Sequence, residues 1–195
     1  MVDTPLARRL AETPARPDPL SAFKIARHAF LEGRRIEMQE LAAEVGVNRA
    51  TLFRWVGSRD HLLTEVVWSV TEPTFLAVAD RVRGRGARRV ATVMGGFARA
   101  VIGSSFFPTW VHSEPERALR ILTTKASPFQ ARMVGLVERL VGEEVDAGRL
   151  SLSLPSHDTA YLIVRIGEAF IYADLITGEP PDATKVTQAV AALLD

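Results

Sequence analysis

In the stretch LAAEVGVNRATLFRWVGSRDHLL, residues 41–63, Arg49, Arg54 and Arg59 stand around a Gly-Val-Asn corner, in a chain whose formal net charge is only +1. A guanidinium is a planar, permanently charged fork that grips phosphate oxygens and the acceptor edges of bases. A chain without a global basic field meets a polyanion only through a local patch of this kind. A second group lies in the C-terminal half. Tyr161, Arg165, Glu168 and Tyr172 are spaced four, three and four apart, so they share one face of a helix. That face is either a solvated Arg165–Glu168 pair or polar chemistry turned toward a small-molecule pocket or a partner helix, where the arginine can hold a carbonyl or carboxylate.

Other chemistry finds little support. There is no cysteine, and His28, His61, His112 and His157 are far apart, so no metal site and no cofactor are expected. No nucleophile–base motif, phosphate loop or paired-carboxylate arrangement stands out, and Glu143 and Glu144 sit on the polar side of a helix. The chain is read as a non-enzyme. Lysine supplies only Lys24, Lys125 and Lys185 of the 24 basic residues. Such an arginine bias follows from a GC-rich coding sequence alone, so position carries the reading. The cluster Arg81, Arg83, Arg85, Arg88 and Arg89 is read as solvated surface. No apolar run of membrane-spanning length and no signal peptide is visible, and a cytoplasmic protein without a membrane partner is expected.

The elements that position these residues follow from periodicity and caps. Nothing alternates with period two, so the fold class is all-α with about nine helices. Residues 1–17, rich in Pro and Arg, are expected to form a disordered arm. Asp18 and Pro19 open a helix with Leu20, Phe23, Ile25, Ala26 and Phe30 as its stripe, and Gly33 ends it. Short helices at 38–45 and 48–56 enclose the corner. Ser58 or Asp60 opens a long helix that Pro73 should kink, with Gly84 or Gly86 at its stop. SEPE at 113–116 reads as a capping box, Ser113 to Glu116. Amphipathic helices follow at 128–147 and 182–194, with a nearly all-apolar one at 157–177.

At the corner, Leu41, Val45, Val47, Leu52 and Trp55 supply a shared core, Ala42 lets the two helices cross, and Gly46 permits a positive φ. Asn48 caps the second helix and leaves Arg49, Ala50, Thr51 and Arg54 near its start or on its outer side, where they can enter a major groove. The alternative is a structural αα-corner with a solvated face. The combined fit of five apolar positions, alanine and glycine argues against it.

MQELAAEVGVNRATLFRWVGSRDHLL resembles the DNA-binding region of the tetracycline-repressor (TetR) family over about residues 20–68. The resemblance implies a three-helix helix-turn-helix domain at 18–64, a helical effector-binding and dimerisation domain at 65–195, and a homodimer. It also implies that Gln39 and Thr51 touch phosphate, Arg49 and Ala50 approach bases, Arg54 does either, and Arg59 holds phosphate. Phe53 stands where the family often has tyrosine, so that position offers van der Waals contact only. RIGEAFIYADLITGEPPD is similar to regulators of quorum-sensing-lactone degradation, which implies a lactone effector.

The C-terminal half carries two further expectations. A helix apolar all round is buried on every side, either at the centre of a monomer or against a partner subunit. Ile166, Phe170, Val186 and Val190 are expected at a dimer interface. Phe97, Phe107 and Trp110, near Gly95 and Gly96, are either ordinary core or, with Tyr161, Arg165 and Glu168, an effector pocket. The function expected is a repressor that a small hydrophobic or amphipathic effector releases from palindromic double-stranded operator DNA. An architectural DNA-binding protein without an effector, favoured by a fully packed C-terminal domain, is the alternative. A helical small-molecule enzyme, for which no residues stand out, is the other.

Overall fold

The computed structural model describes residues 16–195, and every regular element in that span is helical. All but the last two positions of the expected disordered arm lie outside the described residues. Asp18 caps α1 (Pro19–Leu31), its carboxylate accepting the Ser21 amide at 2.7 Å, and Pro19 fills the first helical position. Ala22, Ala26, Ala29 and Phe30 form the buried face of α1. Leu20, expected in that stripe, is exposed because it lies about 200° around the helix from Ala22.

The corner forms as the residues require. α2 (Met38–Val45) stops at Gly46, whose φ of +79° is open to glycine without strain. α3 (Arg49–Val56) starts at Asn48, whose Oδ1 accepts the Thr51 amide at 2.8 Å. Leu41, Ala42, Val45 and Leu52 are buried between these helices and α1.

Ser58 caps α4 (Arg59–Arg81), which continues through Pro73 without a break. By length and composition alone this helix could cross a membrane. Its Leu62, Leu63, Val66, Val67 and Phe75 are instead buried in the protein core, with α1 and α5 packed alongside. Residues 64 and 65, where the sequence reading divides the chain, fall inside α4.

α5 (Gly86–Ile102) and α6 (Phe106–Ser113) meet at a bend of 70°. The expected capping box at 113–116 is absent. Ser113 still belongs to α6, where its hydroxyl donates to the Trp110 carbonyl, and α7 (Pro115–Thr123) starts after Glu114. α8 (Phe129–Asp146) is amphipathic as expected. The single helix expected at 157–177 is two, α9 (Ser156–Ile171) and α10 (Ala173–Ile176), with the break at Tyr172. With α11 (Ala183–Leu194), the described residues hold eleven helices where the sequence suggested about nine.

α11 lies along α5, and α9 packs on α8 and α11. Gly95 makes the α5–α11 contact possible, since a Cβ there would fall 1.7 Å from Thr187 Oγ1 and 3.1 Å from the Ala183 carbonyl. Gly95 therefore serves helix packing and does not loosen the backbone around a cavity. Gly95→Ala should destabilise the fold by about 1–3 kcal/mol in urea unfolding, because α11 must move away despite the better helix former.

Candidate nucleic-acid interface and inner cavity

α3 presents Arg49, Ala50 and Arg54 to solvent, and neither arginine forms an ion pair among the described residues. The Arg49 guanidinium lies over the Phe53 ring, 5.2 Å from its centroid, so Phe53 positions the arginine through a cation–π contact one turn away. Gln39, Arg49, Phe53, Ser58 and Arg59 border one groove of about 420 Å³. Thr51 is half-buried beside it, and the Asn48 side chain is occupied as the α3 cap.

Arg59 borders the same groove, and its guanidinium is also bonded within the fold. Its side chain is 12% exposed and turns inward. Nη1 and Nη2 donate to the two Glu114 carboxylate oxygens at 2.9 and 2.6 Å, and Nε donates to the Ile36 carbonyl. Glu114, 8% exposed, is also approached by Arg35 at 2.8 Å and Arg117 at 3.0 Å. Burial opposes its charge, but the Arg59 hydrogen bonds and these cations hold the carboxyl below its ordinary range. Asp60 pairs with Arg117 and Arg120 of α7. The start of α4 is thus clamped to the start of α7 by residues that no local sequence signal links.

α6 joins this region to the interior. Phe106 and Trp110 pack on Phe30 of α1, with ring centroids 5.4 and 5.5 Å apart. On its other side Phe107 stacks on Tyr172 at 6.3 Å and lines a cavity of about 40 Å³. Phe97, Met94, Phe129, Met133 and Val164 complete most of the apolar wall. A second hollow of about 30 Å³ shares Thr71, Phe97, Val101 and Phe107 with it.

Of the residues the sequence put forward for an effector, Phe97, Phe107 and Glu168 line the cavity. Trp110 lies at the α1 side of α6, and Tyr161 is exposed. Arg165 is also outside the wall. Its Nη1 donates to the Thr123 carbonyl at the end of α7 and lies 2.7 Å from Glu168 Oε2. Burial pushes the Glu168 carboxyl up to about 7 against the pull of Arg165.

The four residues expected at a dimer interface separate into two pairs. Val186 and Val190 have no exposed surface within the single chain, because α11 turns them toward the core. Ile166 and Phe170 remain half-buried on α9.

The expected solvated carboxylates also part company. Glu143 is exposed, whereas Glu144 is 1% exposed, between Arg89 and Arg149. An open groove of about 1060 Å³ adjoins them, lined by Arg83, Arg85 and Asp80. It lies at the far end of α4, a helix about 34 Å long, so its arginines are remote from the corner.

Comparison with known proteins agrees with this geometry. Residues 85–195 match the family model described as the tetracyclin repressor-like C-terminal domain. The solved structure of the R. erythropolis transcriptional repressor QsdR, from the TetR family, superposes with a TM-score of 0.83 at 28% identity, covering 90% of this chain and 93% of that one. The TetR-family repressor AlkX from Dietzia sp. strain DQ12-45-1b, implicated in biodegradation of n-alkanes, gives a TM-score of 0.62 at 25% identity, covering 92% and 97%. Comparison with curated proteins finds no match. The regulators of this family are not enzymes. With its helix-turn-helix and the C-terminal match together, the chain belongs to the tetracycline-repressor (TetR) family of ligand-responsive transcriptional regulators.

Proposed function

We propose that the protein is a homodimeric repressor that leaves a palindromic operator when a small amphipathic effector enters the cavity at Phe97, Phe107 and Glu168. The observation that carries this reading is α6, with Phe107 in the cavity wall and Phe106 and Trp110 on Phe30 of the reading head. An effector larger than the cavity displaces Phe107, and α6 transmits the movement to α1 and α4. Recognition helices of a dimer must sit about 34–36 Å apart to enter successive major grooves, so a modest rotation ends binding. To act this way the effector binds the displaced state better than the operator-bound one.

In the head, Arg49 and Ala50 face bases, Gln39 and Thr51 meet phosphate, Arg54 does either, and Phe53 supports Arg49. Asn48 sets the start of α3. The dimer forms through the outer face of α9, with Ile166 and Phe170 beside exposed Tyr161 and Leu162. The R. erythropolis protein is a repressor, which supports repression as the direction here. A lactone effector rests on the similarity of residues 165–182 to regulators of lactone degradation. The protein works in the cytoplasm, beside its DNA.

The test is genomic footprinting of the purified protein, followed by titration of the recovered site. Arg49→Ala should weaken binding by about 1–3 kcal/mol and relax sequence preference. Unchanged affinity and preference in that variant would remove α3 as the reading helix. A cavity of about 40 Å³ is far below the several hundred Å³ of ordinary ligand sites, which favours one rival, an architectural DNA-binding protein with no effector. Footprints at many unrelated sites, unchanged by any small molecule, would establish that rival.

A further inference from the structure

The groove beside the corner is not built from the reading head alone. Arg117 also borders it, from the first turn of α7 and within the segment that matches the repressor-like C-terminal domain. Its side chain is partly exposed. Nη1 donates to Asp60 and Nε lies 3.0 Å from Glu114 Oε2, while Nη2 has no hydrogen-bond partner among the described residues. Arg59, on the same wall, already donates from each of its three side-chain nitrogens. The surrounding charge is unbalanced. Asp60 and Glu114 are shared among Arg35, Arg59, Arg117 and Arg120, and Arg35 also reaches Glu37. Four cations thus face three carboxylates, and Arg49 at the groove has no ion pair among the described residues.

Resting on the reading of α3 as the helix that meets DNA, we infer that Arg117 is a backbone-phosphate ligand supplied by α7, from outside the helix-turn-helix, its free Nη2 donating to a phosphate oxygen at the mouth of the groove. Asp60 holds one arm of the guanidinium fork, so the other reaches phosphate with little further ordering. A phosphate there meets the excess positive charge. The carboxylates beside it, Glu37, Asp60 and Glu114, each already face an arginine, which removes most of their repulsion. Such a contact carries no sequence information and fixes how the head sits on the duplex. Arg117 travels with α7 and not with α3, so a shift of α7 relative to the head withdraws one phosphate contact from each subunit.

The experiment measures binding of the full chain to a mixed-sequence DNA duplex of about 30 base pairs by fluorescence anisotropy, from about 50 to 200 mM KCl. Arg117→Ala should bind more weakly at the low-salt end and flatten the slope of log K against log[salt] by about 0.9 for each bound subunit. Arg117→Gln, which keeps an N–H donor for Asp60 without the charge, should flatten it equally, and Arg117→Lys should restore most of it. Arg120→Ala is the control. Arg120 holds the same Asp60 from outside the groove, so its loss should leave the wild-type slope. An equal loss in Arg120→Ala overturns the inference, because a general field of charge and not a contact would then be responsible. If the wild-type protein does not bind, or Arg49→Ala binds as it does, the reading of α3 falls and the inference with it. Weaker binding by Arg49→Ala beside a wild-type slope in Arg117→Ala and Arg117→Gln overturns the inference alone.

Discussion

Glu144→Ala should cost about 3–5 kcal/mol in urea unfolding, since removing one partner of a buried ion cluster strands the others. The Glu144 carboxylate accepts four hydrogen bonds. Oε2 takes the Gly86 amide at 2.7 Å and Arg149 Nε at 2.6 Å, while Oε1 takes Arg89 Nη1 at 2.9 Å and Arg149 Nη2 at 3.0 Å. Gly86 opens α5, so one carboxylate ties the start of α5 to the end of α8. Glu143→Ala, one residue earlier but exposed, should stay within about 0.5 kcal/mol of wild type.

The same cluster sets a pH dependence. Chiefly through the Arg149 hydrogen bonds, with help from the Gly86 amide and Arg89 and against burial, the Glu144 carboxyl is lowered from 4.5 to about 2. A depressed carboxyl contributes stability that is present above the unfolded value and lost as pH falls toward the folded one. The wild-type advantage over Glu144→Ala should therefore be full above pH 4.5 and shrink steadily toward about pH 2. A difference that stays constant across that interval would show that the carboxylate is not what holds the cluster.

Glu114→Ala should be comparably costly, about 3–5 kcal/mol, because it strands the inward-facing Arg59. The informative protein is the double variant Arg59→Met, Glu114→Leu. It removes both charges and fills the space with apolar side chains, so most of the lost stability should return. What should not return is the link between the reading head and α7. Operator affinity should be retained, while a small-molecule effector should release the operator less effectively, by about 1–3 kcal/mol of coupling. A double variant with wild-type release would reduce the cluster to a structural joint. Arg117 and Arg120 hold Asp60 in the same region, so the loss should be partial.

The parts of this protein legible in its sequence are those whose physics is complete within one or two helical turns. Asp18 and Asn48 cap because their acceptors reach amides three residues on, and the caps stand in the structure as the residue types require. Gly46 ends α2 because a positive φ is needed there, and the apolar spacing around it fixes the corner. The all-helical class follows from the same local periodicity. Where a local signal misled, a competing contact won, as at Ser113, whose hydroxyl bonds back to Trp110 and opens no new helix.

Partner choice across the fold is different, because sequence distance carries no information about which helices will meet. Nothing near Arg59 in the sequence announces that Glu114, 55 residues away, is brought against it. Glu144 reads as solvated until α5 delivers the Gly86 amide, 58 residues back, and Arg89 with it. Val186 and Val190 are apolar at helical spacing, which states that they are buried but not against what, and α5 occupies that face within the same chain. Arg165 and Glu168 share one helical face, yet the cavity receives the acid because the arginine is drawn to the carbonyl at the end of α7. The sequence by itself determined the helices and the reading corner, through propensities, caps and turn geometry. The tertiary structure alone decided which charges stay exposed at the corner, which face each other and which face the cavity, since those follow from how the helices pack.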